Sequence, residues 1–184
     1  MIKIDDGVLL IADPFLKDGN FARSVVLLTR HEENEGSFGF VLNRPLGHTL
    51  DELLNEMENY PIPVFQGGPV QLDTIHYIHQ YPDLIPDSQL IIEDVYWGGN
   101  FEVLKELIFN KEVDPNKIKF FLGYSGWEKG QLQHELDDNS WITATSTREI
   151  IFETNPEKTW ESSLRHLGGK YETMINYPID PQLN

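Results

Sequence analysis

The sequence predicts an α+β domain in which a mixed, mostly antiparallel sheet carries helices packed outside it. Apolar segments of strand length come first, and turn-forming clusters at 17–20 and 32–36 separate them, which favours antiparallel pairing. Capped helical segments then alternate irregularly with further strands. Because the regular strand–helix repeat of a doubly wound fold is missing, a parallel α/β fold is not expected.

Eight segments have the length and residue pattern of strands. Segments 7–12 and 24–30 are continuous apolar runs, whereas segment 37–43 alternates and places Phe38, Phe40 and Leu42 on one face. The other predicted strands are 64–65, 75–79, 89–92, 117–122 and 141–145.

Capping residues mark the helices. Thr49 and Glu52 form a capping box, and the apolar residues after them follow helical spacing as far as residue 57. Three further helices are predicted on similar grounds: one capped by Asn100 over 101–108, one headed by a capping box at 146–149, and one running from Asn155 and Pro156 to Gly168.

The chain of 184 residues has the length of one domain. We expect a single domain over 1–171 and an extended C-terminal tail over 172–184, where no periodic pattern continues. The absence of cysteine excludes disulfides and thiolate metal ligands. With no apolar run of membrane-spanning length and no signal-like start, the sequence predicts a cytoplasmic location and no membrane partner.

Charge is the strongest feature of the composition. Thirty acidic residues against 14 basic ones give a formal net charge of −16, and the basic residues are scattered along the chain. Nucleic-acid affinity depends largely on cations that meet phosphates. Direct nucleic-acid binding is therefore not expected.

Ser125 is the candidate nucleophile, although the surrounding G-Y-S-G-W differs from the G-x-S-x-G nucleophile elbow. A structural alternative is that Ser125 and Glu128 form a capping box at the start of a helix. Gly130 would lie in the second turn of that helix at a cost of about 1 kcal/mol, so the helix can instead begin at Gly130.

Gln131 and Glu135 are four residues apart and share one helix face, while the two leucines of this segment share the adjoining face. The leucines are expected to face the core. Gln131 and Glu135 then either line a groove with Tyr124 and Trp127 or are solvated. Trp127 is expected to be mostly buried, with one edge exposed on the side of Gln131 and Glu135.

No metal or cofactor is expected. His76 and His79 are three apart in a predicted strand, which places them on opposite faces, and His134 lacks the spacing of a zinc motif. The glycine pairs 67–68 and 98–99 match neither the P-loop nor the dinucleotide fingerprint. The first pair is better explained as a turn at a strand end.

Two of the few cationic residues lie beside strand ends. Arg23 and Arg44 either bind an anionic ligand or pair with neighbouring carboxylates. Loops and strand ends commonly carry functional residues because rigid elements hold them on both sides.

Several segments together resemble the YqgE/AlgH family of bacterial proteins, which is largely of unknown function. The matching stretches are 7–12, 21–26, 39–45, 66–70, 121–127 and 130–132, together with Trp141. The resemblance covers roughly residues 7 to 170. It implies an α+β domain whose sheet curls toward a pseudo-barrel, with no established enzymatic activity. Members of the family often carry Ala where Ser125 stands, and one branch is named as a transcriptional regulator.

The leading functional prediction is a non-enzymatic binding or regulatory module that acts through a protein or small-molecule partner, with any effect on transcription being indirect. The alternative is a hydrolase that uses Ser125 as nucleophile or Glu135 as general base. The predicted ligand or partner surface consists of Arg23, Asn43, Arg44, Gly67, Gly68, Tyr124, Ser125, Trp127, Gln131 and Glu135.

Overall fold

The computed structural model describes residues 2–57, 60–153 and 155–178. In this part of the chain the strands of one sheet are β1 Val8–Ala12, β2 Val25–Glu32, β3 Gly36–Val41, β4 Pro45–Thr49, β5 Pro63–Gln66, β6 Val70–His79, β7 Gln89–Ile92, β8 Val95–Trp97, β9 Ile118–Glu128 and β10 Trp141–Thr145. The α-helices are α1 Leu50–Leu53, α2 Phe101–Phe109, α3 Gln131–Asp137, α4 Arg148–Ile151, α5 Pro156–Leu167 and α6 Lys170–Met174.

The sheet is mixed and mostly antiparallel, as the sequence predicts. Its main path runs β10-β1-β2-β3-β9-β6-β8-β7, and β5 joins β9 in the parallel direction. The path curls far enough to bring β2 close to β7. The side chain of Arg30 in β2 donates a hydrogen bond of 3.1 Å to the side chain of Gln89 in β7. Gly7, just before β1, lies against Ile92 of β7. The predicted fold class and its curl are therefore confirmed.

The central strand β9 is shared between three partners. Its first half pairs with β5 and β6, and its second half pairs with β3. Along one edge of β9, β5 is thus followed by β3. After β5 the chain crosses β9 at the gap between β5 and β3 and continues into β6. Gly67 lies at this crossing: its N–H donates to the carbonyl of Leu122, and its own carbonyl accepts the N–H of Val41. We call this crossing the sheet fork and define it as Gly67, Gly68 and residues 123–125.

Both faces of β1 and of the first part of β2, residues 25–29, are buried, which explains their mostly apolar sequence. Alternate side chains face two different cores. One core is covered by α4 and α5 and contains Leu9, Ile11, Val25, Leu27, Phe40, Leu42, Trp160 and Leu164. The other is covered by α3 and contains Val8, Leu10, Val26, Leu28, Val41, Leu132 and Leu136. The predicted face of β3 is confirmed, since Phe38 packs on the first core with Phe40 and Leu42.

A third core lies under α1 and α2. Phe120 of β9 faces this core, whereas its neighbour Phe121 faces the one covered by α5, as the strand period of two requires. Asn100 caps α2 as predicted, since its side-chain oxygen accepts the N–H of Val103 at 3.2 Å. Asn155 caps α5 in the same way through the N–H groups of Glu157 and Lys158.

Several predicted boundaries are wrong. The helix after Thr49 is short: α1 ends at Leu53, and a single 3₁₀ turn follows over Asn55–Met57. The cap of α4 is Thr147, whose hydroxyl accepts the N–H of Ile150. The predicted strand 117–122 continues to Glu128 because β3 pairs with the extension.

The predicted capping box at Ser125 and Glu128 is also wrong, since both residues belong to β9. The alternative that the helix begins at Gly130 is confirmed, because α3 begins directly after this residue. Gly130 has φ +78°, in the left-handed region, where a residue without a side chain is favoured.

The predicted C-terminal tail begins inside a helix. Residues 172–174 belong to α6, so they are not extended. Tyr177 then stacks on Phe15 with ring centroids 5.4 Å apart. Residues 179–184 of the predicted tail lie outside the described residues. The division of the chain at residue 172 into a domain and a tail stays a prediction.

A buried lysine ties the centre of the sheet to the end of α4. Lys119 of β9 is 4% exposed, and its Nζ donates to the carbonyls of Ile151 at 3.3 Å and Glu153 at 2.9 Å. The same nitrogen lies 4.3 Å from the ring centroid of Phe65. Burial lowers the pKa of Lys119 to about 7, against the smaller opposing effect of Glu153.

We expect the free energy of unfolding to rise between about pH 7 and pH 9. An unfolded chain keeps the ordinary lysine pKa of about 10.4, so it binds more protons than the folded chain in this range. Stability rises with pH wherever the unfolded state binds more protons. Urea unfolding of the wild type at several pH values measures the slope.

The Lys119→Met variant should lose this rise, because the titrating group is gone. The matched control is Lys117→Met, which removes an exposed lysine two residues away. This variant should keep the rise in stability with pH. An unchanged slope in Lys119→Met would contradict the assignment.

Candidate functional site

The two glycines of the sheet fork are explained by close backbone approach. A Cβ atom on Gly67 would collide with the carbonyl oxygen of Gly123, and one on Gly68 would collide with the peptide between Tyr124 and Ser125. Strand interiors carry glycine where another backbone passes this closely. Gly67 and Gly68 therefore shape the sheet and hold its centre together.

Ser125 lies inside the sheet fork. Its side chain is fully buried, and its hydroxyl donates to the Gly67 carbonyl at 3.0 Å. The same carbonyl accepts the N–H of Val41 at 2.8 Å. A nucleophile must reach its substrate and a base. The Ser125 hydroxyl is instead engaged with backbone, so this geometry gives the hydrolase alternative no support.

Glu135 is held by two tryptophans. Its Oε2 accepts the indole N–H of Trp127 at 2.8 Å and that of Trp141 at 2.7 Å. Its Oε1 accepts the side-chain amide of Gln131 at 3.0 Å. We call these four residues the Glu135 clamp. Three donors thus fix both oxygens of one carboxylate.

The clamp is positioned by the packing of α3. Leu132 and Leu136 face the core, as predicted, and this turns Gln131 and Glu135 toward the strand β10 that carries Trp141. Trp127 is 5% exposed, which confirms the prediction that it is mostly buried. Its indole nitrogen points to the side of Gln131 and Glu135.

The charge of the clamp has no cationic partner in the described part of the chain. All three donors to Glu135 are neutral, and none of the ion pairs among residues 2–57, 60–153 and 155–178 includes this carboxylate. Hydrogen bonds offset part of the cost of removing a carboxylate from water. Among the described residues, no ion pair neutralises the negative charge of Glu135.

The clamp lies in a groove of about 390 Å³. We call it the clamp groove; its lining residues are Leu16, Asp18, Asn20, Phe21, Pro69, Gly126, Trp127, Gln131, Glu135, Ser140 and Trp141. Three rings form one cluster in it: the Phe21 centroid is 5.4 Å from that of Trp141 and 6.3 Å from that of Trp127. The groove thus combines aromatic walls with a fixed carboxylate.

Arg44 supports one wall of the clamp groove. Its guanidinium donates to the carbonyls of Gly19 and Asn20 in the loop that carries Asp18. None of the ion pairs among the described residues joins Arg44 to a carboxylate, so the predicted carboxylate partner is not observed, whereas the anionic ligand stays a prediction. Arg44 instead shapes the loop through backbone hydrogen bonds.

Arg23 and Asn43 lie toward α5 and away from the clamp groove. The Arg23 guanidinium is 4.8 Å from the ring centroid of Trp160 and donates to the carbonyl of Tyr177. The Asn43 amide donates to the Arg23 carbonyl at 2.9 Å, and its oxygen accepts the N–H of Val25 at 2.9 Å. Both residues hold the C-terminal segment against the sheet.

Tyr124 faces another part of the molecule. Its ring centroid lies 6.0 Å from those of Phe38 and His76, in T-shaped contacts. Of the predicted surface, the structure therefore brings together Trp127, Gln131 and Glu135 with the loop held by Arg44. It does not bring Arg23, Asn43, Tyr124 or Ser125 into the same groove.

The site also contains residues that sequence reasoning missed. Phe21 and Trp141 line the clamp groove, and both belong to segments of the family resemblance. That resemblance was the available signal, because Phe21 lies in the loop before β2, Trp141 lies beyond the turn after α3, and no local pattern places them beside Trp127. Asp18 was assigned to a turn, and its contribution to the groove depends on the position of the whole loop.

Two of the histidines, His76 and His79, pack against aromatic rings. His76 faces Phe40 and His79 faces Tyr77, so the predicted opposite faces are confirmed. His79 bonds the Gly98 carbonyl and the N–H of Tyr81, and burial lowers the pKa of both histidines. The described residues contain no group of three or more His, Cys, Asp or Glu side chains able to hold a metal ion.

None of the described helices is both long and apolar enough to cross a bilayer.

A model of the family described as AlgH-like (DUF179) matches residues 9–172. The chain belongs to the AlgH-like family. The resemblance recognised in the sequence motifs is therefore confirmed.

Relatives in the AlgH-like family match along nearly their whole length. A UPF0301 protein of Chlorobium limicola is 44% identical over 99% of this chain and 97% of its own. A UPF0301 protein of Parabacteroides distasonis is 44% identical over 97% of this chain and 90% of its own. UPF0301 denotes an uncharacterised group, so these names carry no activity.

Two solved structures share the fold. The solution structure of the AlgH protein from Pseudomonas aeruginosa is 32% identical and superposes with a TM-score of 0.74, covering 97% of this chain and 98% of that one. The crystal structure of a Corynebacterium diphtheriae protein has a TM-score of 0.79 over 96% and 94% of the two chains. At 18% identity, it shows the fold alone.

We expect Ser125→Ala to lower the free energy of unfolding by about 0.5–1.5 kcal/mol, the usual net worth of one hydrogen bond. The loss is modest because the Gly67 carbonyl keeps the N–H of Val41. Urea unfolding measures it, with Ser162→Ala on α5 as a control that removes a hydroxyl outside the sheet fork. A loss above about 3 kcal/mol would contradict this account.

We expect Trp127→Ala to cost about 3–5 kcal/mol of unfolding free energy, because it empties a buried ring position. Trp127→Phe should cost less, since it keeps much of the ring volume while it removes the N–H that reaches Glu135. Urea unfolding compares the two variants, and acrylamide should quench the buried indoles poorly in the wild type. Equal losses in both variants would show that the indole N–H outweighs packing.

Proposed function

We propose that this protein is a non-enzymatic binding module and that the clamp groove is the surface on which it meets a protein partner. The observation that carries the proposal is the Glu135 carboxylate, which three neutral donors fix at a groove lined by aromatic rings. Binding sites typically combine apolar walls with a few fixed polar groups.

Packing alone gives no reason for a carboxylate at this position. A neutral side chain would avoid the cost of partly burying a charge. Three hydrogen bonds hold Glu135 in one orientation, which is the preorganisation that recognition requires. The site therefore supports binding more directly than it supports fold stability.

The same contacts argue against catalysis as the main role. Ser125 is enclosed in the sheet fork, and the hydrogen bonds of Glu135 come from two indoles and an amide, none of which is a nucleophile. A general base takes a proton from a nucleophile or substrate that it contacts. Neither Ser125 nor Glu135, the two residues of the hydrolase alternative, has the contacts that this chemistry requires.

The charge of the chain supports a protein partner in the cytoplasm. A net charge of −16 repels nucleic acid at long range, so an effect on transcription would run through a partner that itself carries the DNA contact. The absence of cysteine is compatible with the reducing cytoplasm, which we propose as the location.

Site-specific photo-crosslinking in cells of the source bacterium tests the proposal. A benzoylphenylalanine at Asn20, an exposed residue of the clamp groove, should give a discrete adduct. The control position is Phe109 on α2, which is 87% exposed and belongs to another part of the surface. Ser125→Ala in the Asn20 background should keep the adduct, because the sheet fork lies outside the groove.

Absence of an adduct at Asn20 would overturn the proposal, as would the same adducts at Asn20 and Phe109. Loss of the adduct when Trp127→Phe or Gln131→Ala is added to the protein with benzoylphenylalanine at position 20 would support the proposal. This holds if the added substitution leaves the urea concentration of unfolding nearly unchanged.

A further inference from the structure

We infer that the clamp groove binds an arginine side chain of the partner protein. This inference rests on the proposed function and names the chemistry of the group that enters the groove. It is carried by the charge of the lining residues, by the free hydrogen-bonding capacity of two carboxylates, and by the aromatic walls.

The lining residues of the clamp groove are acidic or neutral. Asp18 and Glu135 are its ionisable side chains, and the set contains neither lysine nor arginine. Arg44 approaches from behind the loop but uses its guanidinium on the carbonyls of Gly19 and Asn20. A cationic group would therefore meet uncompensated negative charge, and the net charge of −16 would attract a basic partner at long range.

The two carboxylates keep acceptor capacity. Each carboxylate oxygen can accept about two hydrogen bonds. Within the part of the chain that the structure describes, Oε1 of Glu135 accepts the Gln131 amide alone, and the Asp18 side chain accepts one hydrogen bond, from the N–H of Asn20 to Oδ1 at 2.8 Å. A ligand with several donors can therefore bond these carboxylates without displacing their present hydrogen bonds.

The aromatic walls favour guanidinium over ammonium. Phe21 and Pro69 line the groove beside Trp127 and Trp141, each of which is 5% exposed. Guanidinium is planar, stacks on flat apolar surfaces and is more weakly hydrated than ammonium, so it loses less on entering such a groove. The volume of about 390 Å³ lies within the range of sites that take one small group.

Titration with short synthetic peptides tests the inference on the full-length protein. The probe is an acetylated, amidated peptide with one arginine among glycine and serine residues, followed through tryptophan fluorescence and through the indole N–H signals of isotope-labelled protein. A peptide with citrulline at the same position is the neutral isostere, and a lysine peptide tests the choice of cation.

We expect saturable binding of the arginine peptide, at least tenfold weaker binding of the citrulline peptide and about threefold weaker binding of the lysine peptide. Both Glu135→Gln and Asp18→Asn should weaken arginine binding at least fivefold. The matched control is Glu112→Gln, which makes the same change in net charge at an exposed position outside the groove and should bind as the wild type does.

Asp18→Asn keeps the inference testable if Glu135→Gln unfolds, because Asp18 lies outside the Glu135 clamp. Equal binding of arginine and citrulline peptides would overturn the inference, as would wild-type affinity in Asp18→Asn. Equal affinity for lysine would overturn the assignment to arginine. If a partner crosslinks at position 20 but the arginine peptide does not bind, this inference alone is refuted. If neither the crosslink nor the peptide binding is seen, the proposed function is refuted as well.

Discussion

The close contact between the backbone of Gly67 and Gly68 and the middle of β9 is the constraint on which the rest of the structure depends. Side chains at these positions would collide with the peptide groups of residues 123–125. Because the chain can cross there, β9 pairs with β5 in its first half and β3 in its second. The pairing with β3 sets Trp127 opposite Ser37, so the position of this ring depends on the crossing.

Much of the fold could be predicted because its signals are local. Continuous and alternating apolar runs mark strands, and single residues such as Asn100 and Asn155 mark the starts of helices. The extension of β9 was missed because Ser125 and Glu128 match a local capping pattern. Pairing with a distant strand overrides that pattern, and a single sequence does not reveal the pairing.

The candidate site was predictable only in part. The helix period places Gln131 and Glu135 on one face, and this part of the prediction needs only neighbouring residues. The second indole at Glu135 comes from Trp141, which reaches it through the turn between α3 and β10. The buried hydrogen bonds of Lys119 depend on a contact with residues more than 30 positions away, so no local pattern marks them.

The late position of β9 in the chain has a consequence for folding during synthesis. Its partners β3, β5 and β6 all precede it, and β1 pairs with β10, which follows it. Strands made early therefore keep open edges until residues 118–145 have left the ribosome. Non-local pairing of this kind slows folding and exposes apolar edges to other chains. A nascent chain paused before β9 is thus the species on which chaperones would act.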